Sequence, residues 1–197
     1  IAAPMSLQQP SHAAAQHEME FITGVEISVS WRSHTLHIVG LHIDPDNAAL
    51  QAGLYSVREG RGARARLMAE SLARSGIGGA REGAYQYAAN PEIIGRTHFA
   101  RYLVETGHAR DVRSVFKNFL VKGKPGFVPH QWAALPDAIN WITGSGGIAV
   151  IAHPGPEGRR ERIEPLVALG LDGLEVKHPS HSSEDGKRIM ALADFFG

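Results

Sequence analysis

The hydrophobic period changes twice along this chain, and that change limits the folds open to it. From Phe21 to Trp31 the residues alternate. Val25, Ile27, Val29 and Trp31 share one parity and Glu26, Ser28 and Ser30 the other. Such alternation predicts a strand with one buried face. Thr35 to Leu41 reads as a second strand, and Arg32-Ser33-His34 between them is short enough to make the pair a hairpin. Asp44-Pro45-Asp46-Asn47 is a turn and a helix N-cap signal. Leu50, Leu54, Val57, Met68 and Leu72 then recur at helical spacings until Gly76, Gly78 and Gly79 stop the helix. Short helices follow to about Leu120: Pro91 opens one, Phe99, Tyr102 and Leu103 stripe another, and Asp111 caps a third. Leu135 to Gly144 is helical again. From Ile148 the pattern differs. Ile148 to Ala152 is a continuous apolar run, the mark of a strand buried on both faces, and His153-Pro154-Gly155 ends it. Ile163 to Leu169 predicts a helix, Leu171 to Val176 another buried strand, and Ser182 to Phe196 a capped helix. Strand, helix, strand, helix in that order predicts parallel βα units. The expected organisation is an α/β domain in two pieces, 19–45 and 146–197. Between them lies a helical insertion over 46–145, and before them a poorly ordered lead-in over 1–18.

Composition narrows the function classes. The 197 residues suffice for one domain with its own core. Lys and Arg number 20, as do Asp and Glu, so net charge gives no argument for a nucleic-acid groove or a membrane surface. The absence of cysteine excludes disulfides and thiolate metal sites and fits a reducing cytoplasm. No apolar run approaches the roughly 20 residues that span a bilayer. Ile1 to Ala15 lacks the basic and apolar regions of a secretory signal. No membrane and no protein partner is expected.

There are 11 histidines, several of them where strands end, which is where α/β folds place their chemistry. Glu26 lies on the polar parity of its strand, and His37 lies in Leu36-His37-Ile38-Val39-Gly40. A carboxylate and an imidazole on neighbouring strands can share a divalent ion. Spacing alone favours a solvent-facing Glu26 and a hydrogen-bonded core His37, since core histidines outnumber ligands. His153 follows a buried strand at its C-terminal end, the functional side of a parallel barrel, or else is a turn residue with a satisfied ring. Arg58, Arg61, Arg64 and Arg66 fall round more than one side of the long helix and read as a solvated face.

Several of these segments, in order, resemble the PHP (polymerase and histidinol phosphatase) family of metal-dependent phosphoesterases. They are Gly24-Val25-Glu26-Ile27-Ser28, His37-Ile38-Val39-Gly40 and Ile151-Ala152-His153-Pro154-Gly155, followed by Gly173-Leu174-Glu175-Val176 and Pro179-Ser180-His181-Ser182. The stretches Arg96-Thr97-His98-Phe99-Ala100-Arg101 and Lys124 to Trp132 resemble the insertion of the branch that holds nucleoside 3′,5′-bisphosphate phosphatases and short-oligonucleotide 5′-exonucleases. The resemblance covers about 20–197. It implies an incomplete, distorted (βα)7 barrel with a helical insertion as cap, and divalent ions (manganese, iron or zinc) with Glu26, His37 and His153 as the matching ligands. It also implies Arg96, His98, His130 and His181 as contacts to a nucleotide or short-oligonucleotide substrate, and a cytoplasmic phosphatase acting on nucleotides such as nucleoside 3′,5′-bisphosphates. A 5′-3′ exonuclease on short RNA, or an inactive fragment with residual metal or nucleotide binding, are the alternatives.

The departures from the family pattern are specific. Its opening His-x-His and Asp-His motifs and its closing Ser-Asp-x-His motif have no counterpart here, and His12 and His17 lack the strand context. Pro156 stands where relatives often carry Arg. The expectation is a chain truncated at both ends whose three ligands hold an ion loosely.

Overall fold

The structure, a computed structural model, describes residues 4–32, 34–155 and 158–197; Ser33 of the hairpin turn and Pro156 lie outside them. It divides into two compact units. One runs to Leu54 and resumes at Trp132; the other is Tyr55–Gln131.

The first unit is built on a mixed five-stranded sheet. β1 (Gly24–Trp31) and β2 (His34–Leu41) form the expected hairpin, with Ile27 opposite Ile38 and Ser28 opposite His37. β3 (Ala133–Ala134), β4 (Ile148–Ile151) and β5 (Gly173–Leu174) complete the order β3-β1-β2-β4-β5. A two-residue link permits only antiparallel neighbours, whereas a crossover helix permits parallel ones. Accordingly β1 and β2 are antiparallel, and β4 and β5, joined through α7 (Arg160–Val167), are parallel. β2 also pairs β4 antiparallel, Ile38 against Ile151. Ile27, Val29, Ile38 and Ile151 are buried, as are Leu135, Ile139 and Ile142 of α6 (Leu135–Thr143). The other parity of the hairpin carries Glu26, Ser28 and His37.

Three local expectations are corrected. The lead-in is helical: α1 spans Pro4–Gln16, where the alanines at 13–15 have high helix propensity without needing an apolar stripe. Leu171 to Val176 narrows to the two residues of β5, both half-buried, because β4 alone pairs with them among the described residues. Ile148, at the start of β4, is 44% exposed, so that run is not buried on both faces throughout.

The second unit is helical. α2 (Ala48–Arg74) begins in the first unit and continues into it. α3 (Ala80–Gln86), a 3-10 turn (Pro91–Ile93), α4 (Arg96–Glu105), α5 (Val112–Val115) and a π turn (Phe116–Leu120) follow. The compact part is therefore narrower than 46–145: the first turns of α2 and all of α6 belong with the sheet. Met68, Leu72, Ile94, Phe99, Leu103 and Leu120 form its core. The solvated reading of α2 holds for Arg66, which is exposed and pairs with Glu70 at 2.8 Å. It fails for Arg58, Arg61 and Arg64, which are half-buried because they follow Leu54 and Val57 along the stripe that continues to Met68. No helix of the described residues is long and apolar enough to cross a membrane.

Candidate metal centre

Glu26, His37 and His153 converge. His37 Nδ1 lies 3.0 Å from Glu26 Oε1 and 3.0 Å from His153 Nε2, and His153 Nε2 lies 3.6 Å from Glu26 Oε1. The sheet explains how residues so far apart in sequence meet. His37 sits diagonally across the hairpin from Glu26, on the same face. The pairing of β2 with β4 continues one step further, as the Ala152 N–H donates to His37 O at 2.9 Å. Strict alternation would place the next residue with Ile151 on the buried face. His153 instead adopts φ +35°, a left-handed conformation that is costly for a non-glycine residue. Its ring thereby meets His37 edge-on, with centroids 4.9 Å apart.

The donor set fits a divalent ion. Two ligands each about 2.1 Å from one ion and about 90–120° apart lie about 3.0–3.6 Å from each other. The three measured separations span that range. The Nδ1 of His37 offers either one proton or one lone pair yet faces both a carboxylate oxygen and an imidazole nitrogen, so hydrogen bonding alone satisfies only one contact. A carboxylate oxygen with two imidazoles and no thiolate suits manganese, iron or zinc.

The loop around His153 is fastened from three sides. Its backbone N–H donates to Glu175 Oε2 at 2.5 Å. His181 accepts from the Gly155 N–H through Nε2 at 3.3 Å, while its Nδ1 meets Val176 O at 3.1 Å. The Nδ1–H tautomer satisfies both contacts. Arg188 of α8 (Ser183–Phe196) donates to Gly155 O and Gly158 O, both at 2.8 Å. His178 extends the row of rings, 5.2 Å from His153 and 5.6 Å from His181. Beside it a cleft of about 390 Å³ is lined by Lys177, His178, His181 and Ser182.

Both nitrogens of His181 thus meet backbone groups of the loop. Arg96, His98 and His130 lie in the helical unit. Arg96 is exposed and stacks 5.6 Å over the Phe116 ring. His98 Nδ1 accepts from the Gly95 N–H at 3.0 Å and caps α4; burial, and Arg101 after it, keep its pKa below the ordinary imidazole value. His130 is lowered too, by burial first and then by Arg64 and Arg61. Sequence reasoning assigned no role to Glu175 or Arg188. Glu175 stood within a quoted motif and could have been found by its place at the end of β5; Arg188 carried no signal beyond helical spacing.

No family model matches the chain. The 3′,5′-nucleoside bisphosphate phosphatase of Chromobacterium violaceum is 52% identical over 196 residues, which are 97% of this chain and 69% of that protein. The 5′-3′ exoribonuclease Rnm of Salmonella typhimurium is 49% identical over 180 residues, 89% of this chain and 61% of that protein. A solved structure of an amidohydrolase from Chromobacterium violaceum, with bound sulfate and no metal, superposes with a TM-score of 0.89 at 50% identity, covering 96% of this chain and 68% of the other. The chain therefore spans about two thirds of the length of these relatives. With such identity over that length, and with the family's motifs in order along its sheet, the chain belongs to the PHP family of metal-dependent phosphoesterases, in the branch of the nucleoside bisphosphate phosphatases and 5′-3′ exoribonucleases.

Proposed function

We propose that the chain carries part of the active site of a cytoplasmic phosphoesterase that releases phosphate from nucleotides such as nucleoside 3′,5′-bisphosphates. The observation that carries this reading is the triangle of Glu26 Oε1, His37 Nδ1 and His153 Nε2, with sides of 3.0, 3.0 and 3.6 Å. These three residues would hold a divalent ion, manganese, iron or zinc. Such an ion polarises a phosphoryl oxygen and lowers the pKa of water to supply a nucleophile near neutral pH. The strands bearing Glu26, His37 and His153 are read as part of a distorted (βα)7 barrel.

The chain's own residues orient and admit. Glu175, His181 and Arg188 fix the loop that presents His153. The cleft beside His178 leaves room for substrate next to the donors. Arg96, His98 and His130 are assigned contacts to substrate phosphates, for which a planar guanidinium and imidazole N–H groups are suited. The likeness to exoribonuclease Rnm at 49% identity favours a second reading, stepwise 5′-3′ hydrolysis of short RNA. The two differ in how far the substrate extends beyond its terminal phosphate.

Manganese bound by the purified chain at equilibrium, measured by dialysis against millimolar manganese, tests the centre. About one ion per chain is expected, falling to background in His153→Ala and Glu26→Gln. Equal metal in wild type and both variants would remove the centre from Glu26 and His153. Phosphate release from adenosine 3′,5′-bisphosphate, set against release of a 5′-mononucleotide from a 5′-phosphorylated trinucleotide, then separates the two substrates.

A further inference from the structure

We infer that His178 is a further substrate-contacting residue, which donates its Nε2–H to a phosphate oxygen of a nucleotide in the cleft beside the triad, with Ser180 setting its tautomer. Three rings stand in a row here: His153 and His178 have centroids 5.2 Å apart, His178 and His181 5.6 Å. Their nitrogens are used differently. His153 Nε2 faces Glu26 and His37. His181 meets backbone groups through both nitrogens. His178 engages Nδ1 alone, and no described residue bonds its Nε2. The ring is half-buried and lines the cleft with Lys177, His181 and Ser183.

The local chain decides which nitrogen of His178 carries the hydrogen. Pro179 takes the second position of a turn closed by the His181 N–H on His178 O at 3.0 Å. That turn brings Ser180 back to the ring before it. The Ser180 N–H donates to His178 Nδ1 at 3.1 Å, and Ser180 Oγ lies 2.7 Å from the same atom. A backbone N–H only donates, so Nδ1 accepts and the neutral ring carries its hydrogen on Nε2. Ser180 is exposed, so water would satisfy its hydroxyl, and folding does not require this bond. Its consequence is that the open edge of His178 is a donor. A donor held in a cleft selects a partner rich in lone pairs. Lys177 on the same cleft brings donors and no acceptor. A phosphate oxygen is the part of a nucleotide that fits.

The inference rests on the proposed function for the identity of the ligand, a nucleotide phosphate. The test is titration of the full 197-residue chain with adenosine 3′,5′-bisphosphate, at a pH above the ordinary imidazole range. It is run with zinc, whose filled d shell leaves ring signals sharp, and again in chelator. Ring nitrogen shifts of the free chain should show His178 protonated at Nε2 and unprotonated at Nδ1. Added nucleotide should shift that Nε2 saturably. In Ser180→Ala the Nδ1–H form should gain share. The dissociation constant should rise about tenfold or more in His178→Phe, which keeps a ring and loses the donor, the scale of one hydrogen bond to a charged group. His178→Gln, whose amide N–H replaces the donor, should restore most of the affinity. An Nδ1–H ring in the wild type, or equal affinity in wild type and His178→Phe, would overturn the inference and leave the proposed function standing. If the variants fail to fold, the wild-type ring shifts decide by themselves. No nucleotide binding in either condition would strike the proposed function and this inference together.

Discussion

Asp185 ties the cap of α8 to the loop that carries His153. Its Oδ2 receives the Ser182 hydroxyl at 2.6 Å and the Ser182 N–H at 3.2 Å, and its own N–H donates to Ser182 Oγ at 3.1 Å. Its Oδ1 receives Arg188, the residue that also binds Gly155 O. The Ser182 hydroxyl first, and Arg188 next, hold the Asp185 carboxyl at about 2, well below its ordinary value of 3.8. The sign follows from linkage: a depressed carboxylate contributes stability above pH 3.8 and loses it as pH falls towards 2. The start of α8 and the Gly155 loop should therefore loosen together between about pH 4 and pH 2. Carboxyl carbon shifts followed by pH titration check this. A midpoint at the ordinary value for Asp185 would mean that the capping box does not form in solution.

At the scale of elements, the helical unit depends on close approaches that the hydrophobic pattern hints at only in part. A Cβ on Gly83 of α3 would come 2.1 Å from the Tyr102 ring of α4, and the Tyr102 hydroxyl is anchored to Gly78 O at 2.7 Å. Glycine in a helix interior costs about 1 kcal/mol against alanine, so propensity alone would favour Gly83→Ala. Overpacking an anchored ring costs about 1–3 kcal/mol, and the clash should win. A net loss of about 1 kcal/mol in urea unfolding is expected, the difference between those two effects; a gain would show that Tyr102 moves freely. The same contrast explains what the sequence made legible. Alternation in Phe21–Trp31 and Thr35–Leu41 located the hairpin because the period is local. The Asp111 and Ser182 caps were readable for the same reason. The short length of β5 was not readable, because it is set by which neighbour pairs with it. The burial of Arg58, Arg61 and Arg64 was legible in principle: their spacing continues the stripe of Leu54 and Val57. Charge was given more weight there than period. The convergence of Glu26, His37 and His153 came from ordered motifs; nothing local forecasts the left-handed turn at His153 that completes it.

For the whole molecule, the number of metal donors limits the chemistry. Among the described residues, the triad of Glu26, His37 and His153 is the group of three or more such side chains close enough to hold an ion. Two-ion phosphoryl transfer places ions about 3.5–4 Å apart on bridging ligands, and three donors do not bridge two ions. The 197 residues assayed as they stand should release phosphate slowly, with a steep requirement for manganese. Rapid turnover at micromolar manganese would mean that other histidines, such as His12, His17 or His181, complete the centre in solution.

The first unit is interrupted in sequence, and this bears on how the chain acquires its shape. His37 and His153 are separated by 116 positions, and the helical unit lies wholly between them. A chain emerging from the ribosome presents the hairpin before the continuous stretch 55–131, and β4 after it. Local contacts form before distant ones, since loop closure delays long-range strand pairing. The helical unit can thus mature while the hairpin waits with both edges unmatched. During that interval the hairpin is exposed to misassociation in a way the finished molecule is not. Pulsed hydrogen exchange during refolding should find amides of α4 protected before that of Val39, which faces β4.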